Sequence, residues 1–173
     1  MSPLKQVETA YLALGSNLGD RLWHLAEAYK RLKADPCVQS VRGSQVYETL
    51  AVGLKDAPSF LNAVLEIKTE HTSESLLTCV HNIEKTLGRV RTEVVSSRTL
   101  DIDILLYGSL HQNLERLTIP HPRMTKRAFV LMPLMDLSKH LLVDDLTLTD
   151  WLKLCDTSGV KRLFVTLPWN TEF

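Results

Sequence analysis

The 173-residue sequence has only three cysteines, seven glycines and seven prolines, and its 20 basic residues are balanced by 20 acidic ones. Cys37, Cys79 and Cys155 form no CxxC pair. This spacing fits neither a zinc motif nor a disulfide framework, and it predicts a reduced, cytoplasmic protein whose cysteines are small buried hydrophobic residues.

No apolar run approaches the roughly 20 residues of a membrane helix, and we expect no membrane contact. Zero net charge removes the general electrostatic basis for nucleic-acid binding, so a bound anion would need a local cluster of cations.

Common nucleotide-binding and hydrolase motifs are also missing. The segment GSNLG at 15–19 has neither the lysine nor the following serine or threonine of a Walker loop. The kinase motifs, HExxH and GxSxG are absent as well. If this protein uses ATP, it must therefore bind the triphosphate through metal ions and arginines.

Hydrophobic periodicity predicts one domain over residues 1–173 with mixed strands and helices. We expect strands at 7–14, 38–49, 60–69, 100–106 and 162–167, and helices at 22–32, 73–87, 127–137 and 151–155. The strand at 60–69 is predicted to be half-buried. Ser73 is predicted to cap the second helix, Thr149 or Asp150 the last, and Pro133 to kink or interrupt the third. Without a strict βαβ rhythm, the pattern predicts an α+β sandwich in which helices cover a largely antiparallel sheet.

The acidic pair, Asp101 and Asp103, lies in the predicted strand RTLDIDI at 98–104. Residues two apart in a strand share a face, with Cα atoms roughly 6.5 to 7 Å apart. Adjacent carboxylates repel each other, and a hard cation such as Mg²⁺ relieves that repulsion. The same pattern also fits a solvated strand face, and the pair alone leaves both interpretations open.

Basic residues flank the acidic pair on both sides. Three of them precede the pair in the sequence, Arg89, Arg91 and Arg98. A second group follows it: Arg116, His121, Arg123, Lys126 and Arg127. In a chain without net charge, this concentration suggests a metal-bound polyphosphate. Glu84 falls within the apolar arc of its predicted helix, where its partner is either a ligand or a structural ion pair. His24, His71, His111 and His140 have no motif around them, and we expect no function from them.

Five blocks of the sequence, taken in order, resemble the 6-hydroxymethyl-7,8-dihydropterin pyrophosphokinase family. They are YLALGSNLGD at 11–20, FLNA at 60–63, IE at 83–84 followed by GRVR at 88–91, RTLDIDIL at 98–105, and PHPRM at 120–124 with RAFVL at 127–131. The resemblance implies a ferredoxin-like sandwich. It also implies transfer of pyrophosphate from ATP to the hydroxymethyl group of the pterin in folate biosynthesis, with AMP as the second product. We expect a monomer with these two small molecules as its partners.

The resemblance also implies roles for individual residues. Asp101 and Asp103 correspond to the carboxylates that hold two Mg²⁺ ions, and Arg89 and Arg98 to the arginines that clamp the phosphates. Further contacts with ATP are implied for Glu84 (at the ribose), Arg91, Ile104, Arg116, Thr118, His121 and Arg127. Pterin contacts are implied for Thr49, Leu50, Val52, Asn62 and, as an aromatic sandwich, Phe60 and Phe129. Core packing is the alternative explanation for both phenylalanines.

The sequence departs from the family pattern at a few positions. Ser96 and Ser97 replace a usual Gly-Pro, Val95 a frequent aromatic residue, Leu50 and Ala51 a common Pro-Pro, and His81 a frequent glutamine. These changes predict altered kinetics of an active enzyme. Two other functions stay open: a regulatory binding domain that keeps the scaffold without the chemistry, and a Mg²⁺-dependent phosphohydrolase.

Overall fold

The computed structural model describes residues 5–51, 53, 55–89 and 97–170. Its helices are α1 (Arg21–Ala34), α2 (Ser73–Thr86), α3 (Ala128–Leu137) and α4 (Leu148–Lys153). Its strands are β1 (Glu8–Ser16), β2 (Val38–Gly43), β3 (Val46–Thr49), β4 (Phe60–Thr69), β5 (Asp101–Tyr107), β6 (Gln112–Leu114), β7 (Leu117–Ile119), β8 (Leu142–Val143), β9 (Leu146–Thr147) and β10 (Val160–Leu163). The predicted α+β class is confirmed.

The main sheet has the strand order β10-β3-β4-β1-β5, and β2 also pairs with β4. Every pairing in it is antiparallel. β4 is long enough to pair with β3 near its start and with β2 near its end. β5 is the last strand of the order, which leaves its outer edge free of a further strand among the described residues.

The single strand predicted at 38–49 is in fact two strands, β2 and β3. Ser44 interrupts the pairing, because its Oγ accepts the Val64 N–H at 2.9 Å where a backbone carbonyl would otherwise do so. The Ser44 N–H in turn donates to the Val64 carbonyl at 2.9 Å. A side chain that replaces a backbone group in the ladder lets the chain bend between the two strands.

Helices cover both faces of the sheet. α1 and α2 pack on one face around residues such as Leu12, Leu65 and Ile102. α3 and α4 pack on the other around residues such as Val64 and Leu105. The prediction that β4 is half-buried is therefore wrong, since the second helical layer buries the alternate positions as well.

The helix ends differ from those expected from the sequence. Thr72, not Ser73, caps α2, because its hydroxyl accepts the Ser75 N–H. Thr147, not Thr149 or Asp150, caps α4, which begins one residue later. α3 continues through Pro133 to Leu137, held by its packing on the sheet. The three cysteines are free and partly exposed, so the prediction that they are buried is wrong.

Candidate functional site

The acidic pair lies on β5, on the sheet face that α3 covers. Ile102 and Ile104 alternate with Asp101 and Asp103 and are buried against α1 and α2. Asp101 and Asp103 are partly exposed. The predicted shared face of the two carboxylates is confirmed, and so is the aliphatic character of the opposite face.

Two arginines converge on Asp101. Arg89 forms an ion pair with one carboxylate oxygen, and Arg98 Nη1 donates to the other at 3.0 Å. Arg89 also lies 2.7 Å from the carboxylate of Glu84. Glu84 is 1% exposed and accepts the Ile102 N–H at 2.9 Å. Arg89 and the backbone of β5 are therefore both partners of this buried glutamate.

The end of α2 directs Arg89 toward the sheet. Gly88 has a φ of 90°, a left-handed conformation that glycine adopts without strain. The Arg89 N–H then donates back to the Glu84 carbonyl at 3.0 Å. The turn thus places a guanidinium and a carboxylate from adjacent parts of the chain against the same strand.

Asp103 has a different environment from Asp101. Burial and the neighbouring Asp101 carboxylate raise the pKa of Asp103 to about 6, against the opposing effect of Arg127 and the two arginines at Asp101. His121 Nε2 lies 3.9 Å from Asp103 Oδ2. Burial and the charges of Arg127 and Arg123 lower the pKa of His121 to about 4, so its ring is neutral at physiological pH. This contact is therefore not an ion pair. Because His121 Nδ1 accepts the Arg123 N–H at 3.2 Å, its proton is on Nε2 and faces Asp103.

Asn17 connects three segments at this end of the sheet. It is 1% exposed, and its Oδ1 accepts the Arg98 N–H at 2.7 Å. Its Nδ2 donates to Ser97 Oγ at 3.1 Å and to the Pro58 carbonyl at 3.3 Å. One buried amide thus fixes the chain before β5 and the chain before β4 relative to the end of β1.

Asn62 faces the same side of the sheet as the acidic pair. Its Nδ2 donates to the Tyr47 carbonyl at 3.1 Å and to Thr49 Oγ1 at 2.9 Å. Gly15 pairs with Asn62 on one side and with Asp101 on the other. The two polar side chains are therefore two strand spacings apart, about 10 Å, and a residue without a side chain lies between them.

The two phenylalanines of the predicted sandwich are partly exposed. The Arg98 guanidinium lies 5.7 Å from the ring centroid of Phe60, and Arg127 lies at the same distance from Phe129. Phe129 also packs against the core beneath α3. Each ring therefore contacts an arginine that the sequence associates with phosphate binding.

Several predicted site residues lie apart from this group. Ile104 is 3% exposed in the core on the opposite face, because alternation along β5 points its side chain away from the acidic pair. Arg116 and Thr118 lie in the β6–β7 hairpin, and Arg116 lines a groove against α2. Leu50 is exposed. Val52 and Arg91 lie outside the described residues, as do Val95 and Ser96.

Sequence reasoning missed Asn17 and a bridge made by Arg21. Arg21 Nη1 donates to Glu48 at 3.1 Å and to the carbonyl and hydroxyl of Ser59, each at 2.9 Å. Ser59 Oγ donates to the same Glu48 carboxylate at 2.9 Å. These bonds join the start of α1 to both ends of the connection between β3 and β4. The signal that could have identified Asn17 is its amide between Gly15 and Gly19, directly after the apolar run at 11–14.

Comparisons with known proteins place these features in a family. A family model described as 7,8-dihydro-6-hydroxymethylpterin-pyrophosphokinase (HPPK) matches residues 11–139. The chain is 41% identical to 2-amino-4-hydroxy-6-hydroxymethyldihydropteridine pyrophosphokinase of Methylorubrum extorquens, over 89% of this chain and 98% of that protein. It is 42% identical to the protein of the same name from Bacillus subtilis, over 76% of this chain and 79% of that one.

The fold also resembles solved structures. A triple mutant of HPPK-DHPS from Plasmodium falciparum, crystallised with pteroate, superposes with a TM-score of 0.70 over 95% of this chain and 48% of that chain, at 16% identity. At that identity the match supports the fold.

Across the residues that the structure describes, no helix is long and apolar enough to span a membrane.

Proposed function

Because the chain belongs to the 7,8-dihydro-6-hydroxymethylpterin-pyrophosphokinase family, we propose that it transfers the β- and γ-phosphates of ATP as one unit to 6-hydroxymethyl-7,8-dihydropterin. The pterin hydroxyl oxygen bonds to the β-phosphorus, the bond from that phosphorus to the oxygen of AMP breaks, and the hydroxyl proton is released. Family membership supports pyrophosphate transfer in folate synthesis. The single observation behind the residue roles below is the convergence of Arg89 and Arg98 on Asp101, beside Asp103.

The acidic pair suits Mg²⁺. Both donors are carboxylate oxygens, which Mg²⁺ prefers, and burial together with the nearby Asp101 carboxylate raises the pKa of Asp103. Asp101 and Asp103 would hold the two ions that the resemblance implies. When bound, such ions neutralise phosphate oxygens and lower the pKa of an attacking hydroxyl.

Arg89 and Arg98 are the proposed phosphate clamp. In this structure their guanidiniums contact Asp101, so each is already held within reach of a ligand bound at the acidic pair. Glu84 holds Arg89 from the buried side. Charge that grows on the transferred group and on AMP would then be stabilised by these two guanidiniums.

His121 and Arg127 are proposed to bind the triphosphate from the α3 side. A neutral His121 offers an Nε2–H donor. Arg127 is a cation near Asp103, and its charge partly opposes the rise in the pKa of Asp103. Arg116 and Thr118 would contact the nucleotide from the β6–β7 hairpin. Ile104 would contribute through its backbone only, because its side chain is in the core.

The pterin is proposed to lie between Phe60 and Phe129, with Asn62 at its edge. A flat heterocycle gains about 0.5–1.5 kcal/mol per aromatic pair beyond the burial of its area. Asn62 Nδ2 is already held by Tyr47 and Thr49, which leaves its carbonyl oxygen as the acceptor for a pterin N–H. Thr49, Leu50 and Val52 would supply further contacts from the chain after β3.

Product analysis by mass spectrometry tests this function. With Mg²⁺-ATP and the pterin, we expect AMP and pterin diphosphate in equal amounts, and neither product without the pterin. ADP or phosphate formed without the pterin would indicate the phosphohydrolase instead. ATP binding without any product would indicate the binding domain. Asp103→Asn, assayed in parallel, shows whether the products arise at the acidic pair.

Other predictions from the sequence accompany this function. We propose a single domain that acts as a monomer in the cytoplasm, with ATP and the pterin as its partners. Sedimentation of the purified chain, with and without both ligands, measures the oligomeric state directly. A mass of about twice 19.6 kDa would contradict the monomer.

A further inference from the structure

Asp35, His71 and Cys79 meet at the other end of the sheet from the acidic pair. Asp35 follows α1, His71 follows β4, and Cys79 lies in α2. Along β4, Asn62 and Thr69 are separated by about 24 Å. This group is therefore separate from the proposed catalytic residues.

The ligand atoms of these three side chains are already close together. His71 Nε2 lies 3.1 Å from both Asp35 oxygens, and Cys79 Sγ lies 3.4 Å from Asp35 Oδ2. One ligand atom from each residue falls within 4.8 Å of the others. In a tetrahedral zinc site, bonds of 2.0 to 2.3 Å place the ligand atoms about 3.3 to 3.7 Å apart. Small side-chain shifts would thus bring the three atoms to coordination distance.

We propose that Asp35, His71 and Cys79 form a binding site for a transition-metal ion of the Zn²⁺ type, with its fourth position filled by water. The donor set of one carboxylate, one imidazole and one thiolate selects such an ion over Mg²⁺ or Ca²⁺, which prefer oxygen ligands alone. The carboxylate and the thiolate together carry the two negative charges that balance a divalent cation.

The protonation states of Asp35 and Cys79 define what a bound ion would have to displace. Burial raises the pKa of Asp35, but hydrogen bonds from the Cys37 N–H, His71 and Cys79 outweigh it and keep this carboxylate ionised. Burial and the Asp35 charge raise the pKa of Cys79 to about 12, so its thiol is protonated without a metal. The ion would displace that one proton, since a coordinated thiol is deprotonated.

The surrounding hydrogen bonds would orient the ligands. His71 Nδ1 lies 3.0 Å from Ser75 Oγ. With Nε2 on the metal, the imidazole proton moves to Nδ1 and donates to that hydroxyl, the kind of outer contact that metal-bound histidines make. The Cys37 N–H holds Asp35 Oδ1 at 2.8 Å.

Access to the site is open. All three side chains line a groove of about 560 Å³ between α1 and α2, together with Arg31, Ser75 and Asn82. Arg31, the cation there, is paired with Glu27 at 3.5 Å. The groove gives an ion a path to the ligands and supplies the water for the fourth position.

Cobalt(II) absorption tests the proposal, because a thiolate ligand adds an intense charge-transfer band that carboxylates and imidazole lack. The full chain is reduced, freed of metal, and titrated with Co²⁺ and then Zn²⁺. The titrated chain carries the substitutions Asp101→Asn and Asp103→Asn, so that Co²⁺ cannot bind at the proposed Mg²⁺ site. We expect a thiolate band that saturates at one equivalent of Co²⁺ and disappears when Zn²⁺ is added.

Cys79→Ser should abolish the band, and His71→Ala should weaken Co²⁺ binding at least tenfold. The matched control Cys155→Ser, a partly exposed cysteine in another part of the fold, should keep it. Zn²⁺ should raise the unfolding temperature of Cys155→Ser but not of Cys79→Ser. Pyrophosphate transfer by Cys79→Ser should remain normal, measured with the acidic pair intact. No band, or equal bands in Cys79→Ser and Cys155→Ser, would overturn the metal site. Asp35, His71 and Cys79 would then be only a group of hydrogen-bonded side chains.

Discussion

Asn17 and Arg98 are hydrogen-bonded in both directions across 81 positions of sequence. The Asn17 N–H donates to the Arg98 carbonyl at 3.1 Å, and the Arg98 N–H donates to Asn17 Oδ1 at 2.7 Å. The backbone of the proposed clamp arginine is therefore attached to the end of β1. Its side chain reaches both Asp101 and the ring of Phe60 from that fixed position.

Asn17→Ala should lower kcat by about ten- to a hundredfold, because a displacement of Arg98 by about 1 Å misaligns the clamp. The free energy of unfolding should fall by about 1–3 kcal/mol, since buried partners lose their hydrogen bonds. Steady-state kinetics and urea denaturation measure the two effects. Ser97→Ala, which removes only one of the bonds to Asn17, is the matched control and should change kcat by less than threefold. Equal losses in the two variants would contradict the special role of Asn17.

The two members of the acidic pair should differ in their effects on stability. Asp101→Asn and Asp103→Asn should each lower turnover about a thousandfold, through loss of metal-mediated charge stabilisation. Without metal, Asp101→Asn should unfold more easily, because Arg89 and Arg98 lose their shared anion. Asp103→Asn should be as stable as the parent or more so, because the raised pKa of Asp103 means that its charged form is disfavoured in the fold. Turnover assays and thermal unfolding in EDTA measure both effects, and the reverse order of stability would contradict the assignment.

Arg98→Ala should lower kcat by about a hundred- to a thousandfold and weaken ATP binding by much less. A donor that meets developing charge acts mainly in the transition state. Kinetics at saturating pterin, with the Kd for an ATP analogue from calorimetry, separate the two quantities. Arg98→Lys, which keeps the charge but not the planar fork, should recover only part of kcat. Weakened ATP binding with unchanged kcat would reassign Arg98 to ground-state binding.

Binding of the nucleotide and of the pterin should be coupled through Arg98 and Phe60. Because the guanidinium lies against this ring, movement of Arg98 onto the phosphates changes the surface that the pterin meets. We expect a non-hydrolysable Mg²⁺-ATP analogue to tighten pterin binding, and the pterin to tighten analogue binding by the same factor. Titration calorimetry in both orders measures this factor. Phe60→Leu should reduce it, and an equal pterin affinity with and without the analogue would contradict the coupling.

Glu66 should stabilise the fold in a pH-dependent manner, away from the proposed site. Burial by itself raises the pKa of Glu66, but Arg42 and Tyr11 outweigh it and keep that pKa below the ordinary value of 4.5. A carboxyl group whose pKa is lowered by folding stabilises the protein at every pH above its unfolded-state pKa. This contribution disappears as the pH falls below 4.5. Glu66→Gln should therefore cost about 1–3 kcal/mol at pH 7, and the difference from the parent should shrink toward pH 3. Urea denaturation across this range is the measurement, and a constant difference would contradict the ion pair with Arg42.

The elements of the fold were largely predictable because their signals are local. The alternation around Asp101 and Asp103 follows from the two-residue repeat of a strand, and both carboxylates share a face as expected. The interruption at Ser44 was not predictable, since a serine in a strand-like run carries no sign that its hydroxyl will replace a carbonyl in the ladder. Burial of the second face of β4 was not predictable either. It depends on where α3 packs, and the hydrophobic pattern of β4 carries no information about that position.

By itself, the sequence determined the class of the fold, the acidic pair with its neighbouring arginines, and the family. These depend on residue type and on spacing within single segments. Tertiary structure alone decided that Asn17 holds Arg98, that Glu84 holds Arg89, and that Asp35, His71 and Cys79 meet. His71 and Cys79 carried no recognisable motif, and the cysteine spacing excluded the known zinc patterns. Their meeting depends on the register of β4 and the packing of α1 beside α2, because side chains distant in sequence approach only after the whole sheet has been paired and covered.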